Sequence, residues 1–264
     1  MSDSKPNPLD ILMSLPPADF GFAMPSPEEA QANMERVWSR GAHAAIDQWP
    51  AEISALSVPT ILIPLDLEDI TDIFDYQKEG WAAIMQKYAD LIDETIGWEP
   101  HFIRLSTRSP KDVTRTYPTI TCSGKQAMDW ISNSMRCMDD VCIASGAKKP
   151  IFIALRKVYN THPGGEFRCF AKDGKMIAVS RYDYGNEALG KYDGDAIFSQ
   201  LSAWYEEHIA AHYQTIVFDV ELGSYGEYGK QNEPLLIEVN PYGLSDPCLF
   251  KNYEAVESEG GFRS

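Results

Sequence analysis

Long apolar runs are absent from this sequence. None approaches the roughly 18–20 residues a helix needs to cross a bilayer, so no membrane-spanning helix is expected. Basic charge is scarce too. With 23 Lys and Arg against 39 Asp and Glu, the net charge is −16. That disfavours sequence-independent binding to nucleic acid or an anionic membrane, both of which need a surplus of cations. The five cysteines, Cys122, Cys137, Cys142, Cys169 and Cys248, show no C-x-x-C spacing. An odd count without that spacing argues against a zinc cluster or redox pair and fits reduced thiols in a cytoplasmic protein. The scattered histidines offer no Ser-His-Asp or Cys-His arrangement. Residues 1–25 are polar and proline-rich and lack a basic start followed by an apolar stretch, so they read as a flexible leader and not a signal peptide.

What is present is enough apolar sequence for a real core in a chain of 264 residues. Ser26, Pro27 and Glu29 form a helix start with a capping box, and the apolar spacing predicts that helix to run to Trp49. A strand follows at Pro59–Leu65, then a helix from about Tyr76 to Ile96 that Gly97 stops. His101–Leu105 reads as a strand, Ser123 caps a helix carrying Ala127, Trp130, Ile131 and Met135, and Ile151–Arg156 is an apolar strand. Glu166–Ala171 and Met176–Ser180 are two strands around Asp173-Gly174, a strong hairpin signal. A helix from about Ala196 to Tyr213 leads to the last pair of strands. His208 and His212, four apart on that predicted helix, read as ordinary packing residues rather than metal ligands.

That last pair reads TIVFDVEL from Thr215 and LLIEVN from Leu235. Side chains alternate across a strand, so Val217, Asp219 and Glu221 share one face, and Leu236, Glu238 and Asn240 share another. Antiparallel pairing lets the two polar stripes face the same space, where Asp219, Glu238 and Asn240 offer hard oxygens of the kind that suit magnesium. A solvated outer face would produce the same pattern. Upstream, Arg104, Arg108, Lys111 and Arg115 stand against the single acid Asp112, and Arg156, Lys157 and Arg168 form a second basic group. Guanidinium forks and lysines bind anionic oxygens, and a metal held by carboxylates can bridge to phosphates. Surface ion pairing is the plain alternative. Together the two signals favour a Mg-nucleotide.

The run LRKVYNTHPGGEFRCFAKDGKMIAVSRYDY, Leu155 to Tyr184, resembles the cell division cycle protein 123 family, a branch of the ATP-grasp superfamily. IVFDVEL at Ile216, LIEVNPYG at Leu236 and, more weakly, FIRLSTRSPKD at Phe102 resemble it too, and the likeness runs in order from about Phe102 to Phe250. The resemblance implies an α+β fold of the ATP-grasp kind, two α+β lobes with ATP and magnesium between them, preceded by a helical N-terminal segment. It implies that Asp219, Glu238 and Asn240 are metal ligands and that Arg104 and Arg168 face the phosphates. Lys111 and Asp112 fall on a Pro-basic-Asp turn, and Leu155–Val158, including Arg156 and Lys157, forms a hinge whose backbone reads the adenine edge. Arg181, Asp183 and Arg168 are the candidate catalytic groups, and Arg108 and Arg115 could help to hold a second substrate. The chain reads as a bacterial or phage-type member, and four departures from the family pattern weaken any transfer of partner or biological role. Val158 replaces a usual Trp, Tyr182 a frequent Arg, and Glu238 an Asp, and the segment after Asn240 is one residue shorter.

The expected organisation is a leader at 1–25, a helical αβ segment at 26–100, an N-lobe at 101–154 and a C-lobe at 155–264. Two functions stay open, of which the first is the preferred reading and the second its alternative. One is an ATP-dependent ligase or phosphoryl- or adenylyl-transfer enzyme with an unidentified second substrate. The other is a non-catalytic, ATP-bound assembly chaperone with a protein partner, the part eukaryotic family members play for translation initiation factor 2.

Overall fold

The computed structural model describes residues 26–114, 119–159, 164–182, 193–223 and 233–264. Ser26 caps α1 (Pro27–Gly41). Its Oγ accepts from the Glu29 N–H, and the Glu29 carboxylate accepts from the Ser26 N–H, satisfying two donors that a first turn orphans. The helix stops at Gly41 and not at Trp49, because Ala45 is extended and residues 42–48 form two short 3-10 turns. Burial begins only there: Ala45, Ile46 and Trp49 are buried, but no residue of α1 is. Trp49 anchors the turn by donating its indole N–H to the Ala44 carbonyl at 2.9 Å.

The first sheet is built from β1 (Thr60–Pro64), β2 (His101–Leu105), β3 (Ile120–Thr121) and β4 (Phe152–Lys157), all antiparallel in the order β1-β4-β2-β3. Between its strands the chain forms α2 (Trp81–Ile96), α3 (Gly124–Asn133) and α4 (Met135–Gly146). Gly97, at φ 58, ends α2 where the sequence places its stop. The helix expected after Ser123 is two helices. Ser134 is extended and caps α4 by accepting from the Cys137 N–H, so Met135 leaves the buried stripe and is exposed. One face of the sheet, with Ile63, Ile103, Leu105, Ile153 and Leu155, packs on Met85, Tyr88 and Ile92 of α2, Met128 of α3 and Val141 of α4. The opposite face carries Phe102, Arg104, Ala154 and Arg156, which the register pairs across β2 and β4.

The second sheet holds β5 (Glu166–Lys172), β6 (Lys175–Arg181), β7 (Ile216–Glu221), β8 (Leu235–Asn240) and β9 (Gly261–Arg263), in the order β8-β7-β5-β6-β9. Only β6 and β9 run parallel. The β5–β6 hairpin turns at Asp173 and Gly174, both at positive φ, as the primed two-residue turn requires. One face packs Phe167, Cys169, Phe218 and Val220 on Leu201, Trp204 and Tyr205 of α5 (Gly194–His208). That helix ends at His208, five residues before the expected Tyr213, so His212 lies beyond it, and the His208 ring packs tilted against that of Trp204, with centroids 5.6 Å apart. On the other face, Phe170, Ala178 and Val217 lie under Phe250 and under Ala255 and Val256 of α6 (Tyr253–Glu259). Further along the same strands this face turns from apolar to charged. The architecture is α+β with a helical segment ahead of it, the class the sequence implied.

Candidate functional site

Antiparallel register sets Arg168 of β5 opposite Asp219 of β7, and Asp219 opposite Glu238 of β8. The Arg168 fork closes on the Asp219 carboxylate, Nε to Oδ1 at 2.8 Å and Nη2 to Oδ2 at 2.7 Å, and its Nη1 donates to the Asp246 carbonyl at 3.0 Å. Both side chains are almost wholly buried, where a charge persists only with a partner this well aligned. Asn240 sits opposite Val217 on the same face and donates from Nδ2 to Asp219 Oδ2 at 3.3 Å. Alternation therefore put Asp219, Glu238 and Asn240 on one face, as found, but it misplaced Leu236. The ladder shifts register between Asp219 and Val220, Ile237 is left without a partner on β7, and Leu236 turns into the core beside Val220.

The first sheet reaches across to this row. Arg104 of β2 pairs with Glu238, Nη2 to Oε1 at 2.7 Å, while its Nε and Nη2 also donate to the carbonyls of Leu105 and Thr107. Lys111 donates to the Tyr182 hydroxyl at 3.2 Å, and the Tyr182 ring has Arg168 4.8 Å from its centroid and Lys111 at 5.5 Å. Tyr182 thus lies beside Lys111 and Arg168. Arg181 instead sits opposite Phe167, on the face that packs on α5, because one residue along a strand reverses the side chain. Asp183 and Arg115 lie outside the described residues.

The remaining basic and turn residues are occupied structurally. Asp112 accepts from Ser134 Oγ at 2.6 Å and from the Arg136 N–H at 3.2 Å, which fastens the start of α4. Arg108 pairs with Asp140 at 2.7 Å, and Lys157 with Glu99. Arg156, expected at the nucleotide, lines the smaller cavity described below and donates to the Ile237 carbonyl at 2.7 Å and to Ser57 Oγ at 2.6 Å. The expected hinge, Leu155–Val158, contributes Arg156, Lys157 and Val158 to the wall of the smaller cavity. β4 lies between β1 and β2, Leu155 and Arg156 pair on both sides, and the Lys157 N–H donates to Pro59. Only Val158 and Tyr159, past the strand end, keep backbone clear of those ladders.

Electrostatics separate the acids. Burial raises the Glu166 pKa to about 8, with Asp219, Glu238 and Glu221 adding to the rise. Burial works to raise Glu238 also, but Arg104, Lys111 and Arg168 outweigh it and hold the carboxyl down at about 2. Burial pushes Asp219 up against the pull of Arg168, whose own guanidinium stays firmly protonated beside that carboxylate. Glu166 was not singled out in the sequence, although its place two residues before Arg168 puts it on the same strand face.

Two cavities meet at this network. One, of about 270 Å³, is a slot with Val58, Phe102, Ile120, Val158 and Ile237 as its apolar wall and Arg104, Arg156, Lys157 and Glu166 also in its lining. The other, of about 500 Å³, reaches Arg168, Tyr182, Asn240 and Trp38. Ser109, Lys111 and Glu238 line both. The slot suits a flat apolar ring system, and its charged end offers cations beside an ionised carboxylate.

The donors also suit magnesium in kind. Among the described residues, Glu238 Oε2 and Asn240 Oδ1 accept no hydrogen bond, and both are hard oxygens, Glu238 lining both cavities and Asn240 the larger one. Asp219 is more committed, with both oxygens in the Arg168 fork. Magnesium takes one or two carboxylates and completes its shell with water and phosphate oxygens; among the described residues no three His, Cys, Asp or Glu side chains cluster as a metal site, so the protein would supply only part of such a shell.

Comparison with known proteins follows the same outline. A family model described as D123 matches residues 79–261. Over 255 residues the chain is 23% identical to a translation initiation factor eIF2 assembly protein of Xenopus tropicalis, covering 77% of this chain and 74% of that one. The protein of the same name from Xenopus laevis is 32% identical over 103 residues, 37% of this chain and 28% of the relative. The chain therefore matches under a third of that relative's length. The structure of Cdc123 from Schizosaccharomyces pombe superimposes with a TM-score of 0.63 at 18% identity, covering 88% of this chain and 96% of that one. At that identity the likeness shows the fold.

Proposed function

Because this chain belongs to the D123 family, we propose that it binds ATP with magnesium between its two sheets and serves as an assembly protein for a partner, with the nucleotide as a bound ligand. The observation that carries this is the junction of the two cavities, where the slot's apolar wall meets Lys111, Arg104 and the ionised Glu238. The adenine would lie against Phe102, Val58 and Ile237, within reach of the backbone of Val158. The phosphates would pass Lys111 toward Arg168, and Glu238, Asn240 and Asp219 would hold magnesium, which neutralises phosphate charge. Two features support a role without turnover. The row is locked, both Asp219 oxygens in one guanidinium fork, and relatives are named for assembling a translation initiation factor. A cytoplasmic site of action belongs to this reading. The ligase reading has one observation in its favour, the 500 Å³ cavity adjoining the phosphate end, with Arg108 in its wall, which could admit an acceptor.

Calorimetric titration with ATP, with and without magnesium, tests the site. The parent should bind ATP more tightly with magnesium, Asp219→Asn should lose that gain, and Lys111→Met should lose about 10- to 100-fold in affinity, the worth of a charge-assisted hydrogen bond. A parent that ignores ATP, or variants that bind as the parent does, would sink it. Retention of ATP without release of ADP or AMP supports the assembly role. Steady release in the presence of a metabolite pool would turn the assignment to a ligase.

A further inference from the structure

The chain just before β1 is joined to β8 by hydrogen bonds that the nucleotide reading does not use. Ser57 bridges Leu236 in parallel register, and the Leu236 N–H donates to the Leu56 carbonyl at 2.9 Å. Ser57 Oγ donates to the Leu236 carbonyl at 2.5 Å and accepts from Arg156 Nη2 at 2.6 Å. Arg156 Nη1 completes the joint on the Ile237 carbonyl at 2.7 Å. These contacts fall on the irregularity of β8, where Asp219 pairs with Glu238 but Val220 pairs with Leu236.

That irregularity decides where Glu238 points. A bulge adds one residue to a strand and re-aims the side chains on either side of it. With Ile237 looped out, Leu236 faces the core with Val220, while Glu238 stays in the row of Arg168 and Asp219. A regular ladder continued from Asp219 and Glu238 would pair Val220 with Ile237 and put Leu236 opposite Glu221, on the charged face. The extra residue reconciles the two demands, and its carbonyl, one peptide before Glu238, is the atom Arg156 takes.

We propose that Arg156 is a positioning residue for Glu238, with Ser57 as its relay, so that residues 56–58 are part of the nucleotide site although they lie outside the 79–261 family match. Arg104 holds the Glu238 side chain and Arg156 holds its backbone. A planar fork is needed to span two acceptors, which a lysine point charge does not do. The inference rests on the Mg-ATP reading above.

The discriminating quantity is the ratio of ATP affinity with magnesium to that without, measured by calorimetry on the full chain. Arg156→Lys and Ser57→Ala should each reduce this ratio about tenfold or more, the loss of ATP affinity being larger with magnesium than without it. Ser57→Thr, which keeps the hydroxyl, should retain the ratio. A role confined to stability would lower melting temperature and leave the ratio unchanged, and that result overturns the inference. So does an equal loss with and without magnesium. Should Arg156→Lys fail to fold, the Ser57 pair decides alone. A parent with no magnesium gain removes the nucleotide reading itself, an outcome separate from parental gain kept in Ser57→Ala.

Discussion

Two glutamates that feel each other's charge are driven in opposite directions from their ordinary value. Glu166 is held at about 8 by burial and neighbouring carboxylates, and Glu238 at about 2 by Arg104, Lys111 and Arg168. For Glu166 the folded value lies above the ordinary 4.5, so the fold favours its neutral form. That contribution is complete below about 4.5 and is lost as pH rises through about 8. For Glu238 the sign reverses, and its contribution is lost only as pH falls from about 4.5 toward 2. Glu166→Gln should therefore remove a fall in stability between about pH 4.5 and about pH 8 and leave the profile below about 4.5 unchanged. Melting temperatures across that window and on both sides of it measure this, and an unaltered slope between those two values would count against the buried carboxyl. Strand alternation made the facing of Glu166 legible. Its titration was not, because Asp219 and Glu238 stand beside it only through sheet pairing.

Elements defined by local chemistry were readable: the capping box of α1, the stop at Gly97, the strand His101–Leu105 and the Asp173-Gly174 hairpin. Their determinants lie within a few residues of each other. The end of α1, the break at Ser134 and the bulge in β8 were not readable, because each is settled by what packs against it. Gly124, at the start of α3, is another such place. A Cβ there would lie 2.0 Å from the Ala89 carbonyl oxygen of α2, and the Gly124 N–H donates to Asp93 Oδ1 at 2.5 Å. Gly124→Ala forces backbone apart and should cost about 1–3 kcal/mol, the usual range for overpacking. At Gly41 a Cβ would meet only the Pro241 ring, at an ordinary 3.7 Å, so Gly41→Ala should change stability far less. Denaturant melts of the two variants compare them, and equal midpoints would contradict the close approach of α2 and α3.

At the scale of the whole molecule, the N-terminal segment is interleaved with both sheets. Ile46, Trp49 and Ile53 complete the core under β7 and α5, and β1 forms an edge of the first sheet. A chain begun at residue 79, where the family match begins, loses all of these. It should fail to unfold cooperatively, whereas removal of 26–41, where nothing is buried, should leave a cooperative transition. Circular dichroism melts of the two truncations test this, and a sharp transition in the shorter one would show that the segment is dispensable. No helix among the described residues is long and apolar enough to cross a membrane, in line with the sequence.

The sequence alone determined the α+β class, the family and the shared face of Asp219, Glu238 and Asn240, since alternation, turn chemistry and short signatures are all local. Only the tertiary structure decided what those carboxylates touch. Arg168 meets Asp219 from a strand 51 residues away in sequence, and Arg104 meets Glu238 from the other sheet. It also tied Arg156, in the wall of the smaller cavity, to the backbone of β8 and brought Tyr182, not Arg181, alongside Arg168 and Lys111. Spacing along one strand fixes which way a side chain faces, but which charge it meets depends on how distant strands pair and how two sheets pack.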